Sequence, residues 1–330
     1  MSNWLSSITD HVHQLTHRLH GLLAPPGATC LTCGTRAILS PIYPGICPRC
    51  VQEIPWIRSI RCLRCGRGIG CPDCVRPHMQ NRSFICNRSA VQYNALMKEW
   101  IGMYKFRGHE RYAALLTALI IQAFQAMSEE LNPVLAKETL APVAHPGAAR
   151  RHRQSLLQNN KQRWRPDAVT YVPVSDERLA ERGFNQAERL AAGLAAAVRL
   201  PVVDLLQRRI NTTKQSFKTR GERIQTMQDA FAMQPDGLEL IHDLYQANSQ
   251  FAQKEIHSQP STNSYAIGER VSAHFRSSPQ SWHIPPLRLL LIDDIYTTGS
   301  TLNACGQVIL NAGYSMNIPI EIYTLTLARS

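Results

Sequence analysis

At 330 residues the chain is long enough for one α/β core of roughly 150 to 200 residues with a smaller module beside it. An apolar content of 44% is ordinary for a globular protein. The most apolar run, 112–124, is shorter than the about 20 residues that cross a bilayer, which excludes an integral membrane protein of the helical kind. The net charge of +12 at pH 7 is concentrated in one segment and fits an acidic partner or a solvated basic face.

Residues 1–24 place Trp4, Leu5, Ile8, Val12, Leu15, Leu19 and Leu22 at helical spacing, and His11, His13, His17 and His20 interrupt the apolar block that a signal peptide needs. This reads as an amphipathic helix of a cytoplasmic protein, its histidines on a solvent face in preference to a metal site. Residues 25–88 follow with four CxxC pairs, Cys30/Cys33, Cys47/Cys50, Cys62/Cys65 and Cys71/Cys74. Two such turns complete a tetrahedral four-cysteine zinc site, and the metal folds a segment too small to build its own core. A double zinc ribbon with two Zn2+ is expected. Pairing in chain order is the simplest, interleaved pairing stays open, and a redox role is the rival reading of the CxxC turns. Cys86 and Cys305 are left over.

From 58 to 111, eleven Lys or Arg stand against three acids, with Trp100, Tyr104 and Phe106 nearby. That suits single-stranded nucleic acid, phosphates meeting cations and bases stacking on rings; a solvated basic surface is the alternative. Residues 89–330 read as one domain. It opens with an amphipathic helix over 91–104, then Lys105-Phe106-Arg107-Gly108, then a second helix over about 111–131. The stretch 132–167, rich in Pro, Ala, Arg and Gln, reads as a basic, mobile insertion. A strand over 168–174 leads into a turn carrying Arg178, Arg182 and Gly183, a second anion site in waiting, and a helix with Leu190, Leu194 and Val198 spaced by four. Residues 234–286 form a long polar insertion.

The most informative stretch comes next. Leu289-Leu290-Leu291-Ile292 fits a strand buried on both faces; Asp293-Asp294 follow, then Thr297-Thr298-Gly299-Ser300-Thr301, then a helix with Leu302, Cys305 and Ile309 on one face, stopped at Gly313. The glycine admits a close ligand, and the helix N-terminus with the hydroxyls of Thr297, Thr298, Ser300 and Thr301 can hold a phosphate dianion. The two carboxylates can accept from a cis-diol or attract a Mg2+ carrying pyrophosphate. Two exposed aspartates capping a strand–turn–helix are the plainer alternative.

Apolar run, two acids, hydroxyl residues, Gly, Ser, Thr resembles the phosphoribosyl-pyrophosphate (PRPP) motif of type I phosphoribosyltransferases. The segment VPVSDERLAERGFNQAERLA, the residues 206–215 and 223–231, Pro25-Pro26, the Lys105–Gly108 stretch, the zinc module and the closing 324–329 resemble, in the same order, the ComF family of competence-associated phosphoribosyltransferase-like proteins. The resemblance implies an α/β type I phosphoribosyltransferase fold, a parallel sheet flanked by helices, behind a four-cysteine zinc ribbon. It implies PRPP with Mg2+ as ligand, Asp293, Asp294 and Arg182 as catalytic residues, and Thr297, Thr298, Gly299, Ser300, Thr301, Arg178 and Gly183 as ligand-binding residues. It also implies single-stranded DNA as partner on the cytoplasmic side, near a competence helicase or an uptake channel at the inner face of the membrane. The long 234–286 segment departs from the family, and Thr297 stands where many purine-salvage relatives carry an aspartate that assists the nucleobase, so nucleobase transfer by that route is not implied.

Overall fold

A computed structural model describes residues 27–71, 74, 82–106, 110–132, 164–209, 230–257 and 285–330. The helix expected over 1–24, Arg76, Arg107 and most of the 132–167 stretch lie outside them.

In chain order, β1 (Ala28–Thr29) pairs antiparallel with β2 (Arg36–Ala37), and α1 (Pro48–Gln52) begins with Pro48, where a missing N–H costs nothing. Then come β3 (Asn87–Gln92), α2 (Ala95–Phe106), α3 (Glu110–Glu130), β4 (Ala168–Tyr171), α4 (Asp176–Arg182) and α5 (Gln186–Val198). The antiparallel pair β5 (Leu206–Arg208) and β6 (Phe231–Met233) precedes α6 (Gly237–His257), β7 (Leu287–Tyr296), α7 (Ser300–Ser315) and β8 (Ile320–Arg329).

The main sheet has four parallel strands in the order β3-β8-β7-β4, the α/β architecture that the apolar run at 289–292 implies. Those four residues are fully buried, as a strand covered on both faces requires. Helices cover the sheet, α5 packing on β4 and β7, α6 on β7, and α7 on β7 and β8. α3 packs on α5, β3 and β8. Residues 201–203 extend the sheet beside β4, with Val169 N–H donating to Pro201 O and Val203 N–H to Val169 O.

Several expectations change in detail. The helix read over 91–104 starts at Ala95, because Val91 is a buried residue of β3, whose backbone is drawn into the ladder with β8. Its apolar face is as read: Met97, Trp100, Ile101 and Tyr104 are buried. α7 runs past Gly313 to Ser315, and Asn317, at φ 56°, is the left-handed residue that reverses the chain. Gly313 serves packing instead, since a Cβ there would lie 2.8 Å from Ile318 O. Trp164, assigned to the mobile insertion, is buried between Phe124 and Tyr323, with ring centroids 6.3 and 4.8 Å away. Part of the polar 234–286 segment is the long helix α6, anchored by buried Ile241.

Candidate functional site

β4 and β7 are neighbours in register, Tyr171 opposite Ile292, so the turn after β4 and the acids at the end of β7 share the carboxyl edge of the sheet. That is where open α/β sheets bind ligands. α4 ends at Gly183, whose φ of 77° is the left-handed cap that lets its N–H reach Leu179 O. The next residues fix the turn. Asn185 caps α5 by accepting from Ala187 N–H and Glu188 N–H, and its amide donates to Val172 O at 3.0 Å, tying the helix start to the strand end. Gln186 Oε1 accepts from Arg182 Nη1 at 2.9 Å, which orients the guanidinium. Phe184 lies between the Tyr104 ring, 5.3 Å away, and Arg189, 4.2 Å from its centroid. Arg178 is exposed and Arg182 half-buried.

At the other side of the edge, Asp293 is half-buried and its carboxylate accepts from Asp294 N–H at 2.8 Å. Burial first, and the adjoining Asp294 carboxylate second, push the Asp293 carboxyl up to about 8. Asp294 forms an ion pair with Lys105. Lys105, counted among the cations of a nucleic-acid face, therefore belongs to this site. Two further cations lie within electrostatic range of it, Arg182 of Asp294 and Arg208 of β5 of Asp293. Sequence reasoning missed Arg208 and Lys105.

The turn after β7 is shaped by Gly299 at φ 79°, the N-cap of α7. A Cβ there would collide with the Tyr296 hydroxyl and with Arg82. Thr298 Oγ1 lies 2.9 Å from Ser300 Oγ, Thr297 and Thr298 are exposed, and Ser300 and Thr301 are half-buried at the first turn of a 16-residue helix. Arg82, also missed, braces this turn. It donates to the Tyr296 hydroxyl, to Thr298 O at 3.4 Å and to Cys74 Sγ at 3.6 Å. Next to it, Ser83 N–H donates to Asn303 Oδ1 at 2.8 Å, so the segment leaving the second ribbon is docked on α7.

The cysteines assemble in chain order. Cys30, Cys33, Cys47 and Cys50 form one cluster and Cys62, Cys65, Cys71 and Cys74 the other, each with all sulfurs within 4.8 Å of one another. Cys30 Sγ lies 3.8 Å from Cys50 Sγ, and Cys33 Sγ 3.8 Å from Cys47 Sγ. A tetrahedron with Zn–S bonds of about 2.3 Å has edges of about 3.8 Å, so the donor set fits two zinc ions. Gly34 and Gly66 N–H close the knuckles onto Cys30 O and Cys62 O.

No protein-family model matches the chain. It is 26% identical over 319 residues to the competence protein ComFC of Bacillus subtilis, covering 96% of this chain and 90% of that protein. It is 24% identical over 270 residues to ComFC of Streptococcus pneumoniae, covering 78% of this chain and 80% of that protein. The chain is similar to the ComFC competence proteins over most of its length. Among the described residues no helix is long and apolar enough to cross a membrane.

The basic segment is not one continuous face. Arg88 is buried, its Nε on Glu130 at 2.7 Å and its Nη1 on Leu63 O and Asn87 O, so its donors are satisfied inside the fold. Trp100 and Tyr104 are buried in the core and offer no ring to a base. Their helical spacing signals packing, and the charge count did not separate surface cations from structural ones.

Proposed function

We propose that this ComFC-like chain binds PRPP with Mg2+ at the carboxyl edge of β4 and β7 and acts in the handling of incoming single-stranded DNA on the cytoplasmic side. One observation carries the ligand reading. Two adjacent carboxylates at the end of β7, a hydroxyl-lined turn at the N-terminus of α7 and a set of guanidinium groups from α4 and β5 meet at one edge. A pentose bearing a phosphate at one end and a pyrophosphate at the other asks for those three chemistries. Thr297 to Thr301 hold the 5′-phosphate, Asp293 and Asp294 accept from the ribose hydroxyls, and Arg178 and Arg182 with Gly183 receive the pyrophosphate. A Mg2+ attracted by Asp293 and Asp294 would supply Lewis-acid stabilisation to a departing pyrophosphate. Asp293 and Arg182 serve any transfer by stabilising charge on the ribose and on the leaving group, and the name of the relatives supports a competence role.

Titration of the purified chain with PRPP and Mg2+, with and without a single-stranded oligonucleotide, tests the reading. Asp293→Asn with Asp294→Asn should weaken PRPP at least about tenfold, a loss of about 1.4 kcal/mol. A parent that binds no PRPP, or a double variant that binds it as well, would refute the assignment. A docking role toward a helicase or uptake channel is favoured by a separate observation: Ile38, Ile42, Leu63 and Ile69 of the ribbon module are exposed. Ile38→Ser with Ile42→Ser should leave PRPP binding intact and lower transformation in the host if that role operates.

A further inference from the structure

A cleft of about 490 Å3 opens at the carboxyl ends of β3 and β8, away from the acids of β7. Tyr93 and Arg329 come from the strand ends, Trp56 and Arg58 from the segment that runs antiparallel along β3, and Arg67 and Ile69 from the second ribbon. Backbone bonds hold these pieces in place: Tyr93 N–H donates to Arg329 O at 2.7 Å, Gln92 N–H to Pro55 O at 2.8 Å and Cys62 N–H to Arg67 O at 3.0 Å. The size is that of a site for one small organic ligand.

Three guanidinium groups line it, Ser330 lines it beside Arg329, and among the described lining residues no Asp or Glu side chain does. Arg329 is buried and rigid, its Nη1 on Cys65 O at 3.0 Å and its plane 4.4 Å from the Tyr296 ring. Its Nε has no hydrogen-bond partner among the described residues. A buried donor without an acceptor favours one nearby, while the positive charge itself already meets Cys65 of the second cluster. Arg58 adds an exposed cation at the mouth, and Trp56 and Tyr93 are half-buried rings. Phosphate matches the guanidinium groups, and a planar base matches the rings.

We propose that this cleft binds a nucleotide unit, free or within a single strand, with its base on Trp56 or Tyr93 and its phosphate on Arg58 and Arg67. The site needs no Mg2+, because its charge comes from arginine. It stands apart from the phosphoribosyl reading, since it uses other strand ends and none of the same side chains.

The test uses the zinc-loaded full chain without Mg2+ at low salt, titrated with adenosine monophosphate and with a short oligodeoxyadenosine, by tryptophan fluorescence and anisotropy. Arg58→Gln with Arg67→Gln should weaken binding about tenfold and flatten its log–log salt dependence by up to about two units. Trp56→Leu should weaken binding and remove the fluorescence change; Arg58→Gln alone, at an exposed position, keeps the test open should the others fold poorly. Binding that the arginine variants weaken supports the proposal, the monophosphate assigning a free nucleotide and the strand alone a polynucleotide. It is overturned if neither probe binds the parent, if the arginine variants bind as the parent does, or if inorganic phosphate competes as well as adenosine monophosphate, which would leave an anion site with no role for the rings. The titrations are repeated in the Asp293→Asn, Asp294→Asn background, where adenosine monophosphate has lost the ribose contacts of the phosphoribosyl site; binding that persists there and falls with Arg58→Gln and Arg67→Gln belongs to the cleft, so loss of PRPP binding and loss of nucleotide binding are separable results.

Discussion

Asp293 ties the chemistry of the site to pH. It keeps its proton up to about pH 8 in the folded protein, whereas an unfolded aspartate loses it near about 3.9. Between those values the folded state binds the extra proton, so this group favours folding fully below about pH 4, and that contribution is lost as pH rises toward 8. Asp293→Asn carries no such proton, and its stability should gain on the parent progressively from about pH 5 to pH 8; denaturant melts at three pH values measure this, and a flat difference would contradict the raised carboxyl. PRPP with Mg2+ should bind more tightly as pH rises through 8, because the carboxylate form is the one that accepts from hydroxyls or meets a cation. Arg82 gives a second prediction at this scale. Arg82→Met removes the brace on Thr298 O and Tyr296, so binding of ribose 5-phosphate should weaken about tenfold, or about 1.4 kcal/mol, while zinc content stays at two. Which residues were legible follows from how they signal. The cysteines declare their clusters within a few positions. Arg82 reaches Tyr296 across 214 residues, and no local pattern announces such a contact.

Among the elements, the turns after α4 and β7 depend on glycines that differ in kind. Gly183 is at φ 77° with open space around it, so Gly183→Ala costs about 1 kcal/mol from the left-handed backbone alone. Gly299 is at φ 79° and crowded by Tyr296 and Arg82, so Gly299→Ala should cost more than Gly183→Ala in chemical denaturation and should abolish ribose 5-phosphate binding. Equal costs would mean that the crowding is relieved by small movements. The strand 289–292 and the helix after it were readable because burial on both faces and a helical stripe leave distinct patterns. α6 was not, although Ile241, Leu244 and Tyr245 carry a helical stripe, because the residues around them are polar and a long link was the simpler reading. β3 was hidden for the opposite reason: Asn87, Arg88 and Ser89 are polar yet buried, their desolvation offset by bonds to Cys65 O, Glu130 and Thr326 that only the assembled sheet supplies.

For the molecule as a whole, the ribbons and the sheet share one core. Cys30, Ile46, Cys65 and Phe84 belong to the same buried cluster as Leu290 and Leu325. Arg64 O receives Asn87 N–H at 2.7 Å and Cys65 O receives Arg329 Nη1, so the second ribbon is bonded to both β3 and β8. Chelation of zinc should therefore lower the melting temperature of the entire described fold, followed by circular dichroism and by release of thiols. A ribbon that melts alone, leaving the transition of the sheet unmoved, would show that these bonds carry little cooperativity.

The place of β8 sets an order of assembly. It lies between β3 and β7, and its pairing with β3 joins residues such as Ser89 and Thr326 that are 237 positions apart. During synthesis the ribbons can bind metal as soon as Cys74 has emerged, but β3 must wait with an open edge until Ile320–Arg329 arrives. Chains halted before Ile320 would carry metal-loaded ribbons beside two unpaired strand edges, a state suited to chaperones and to self-association.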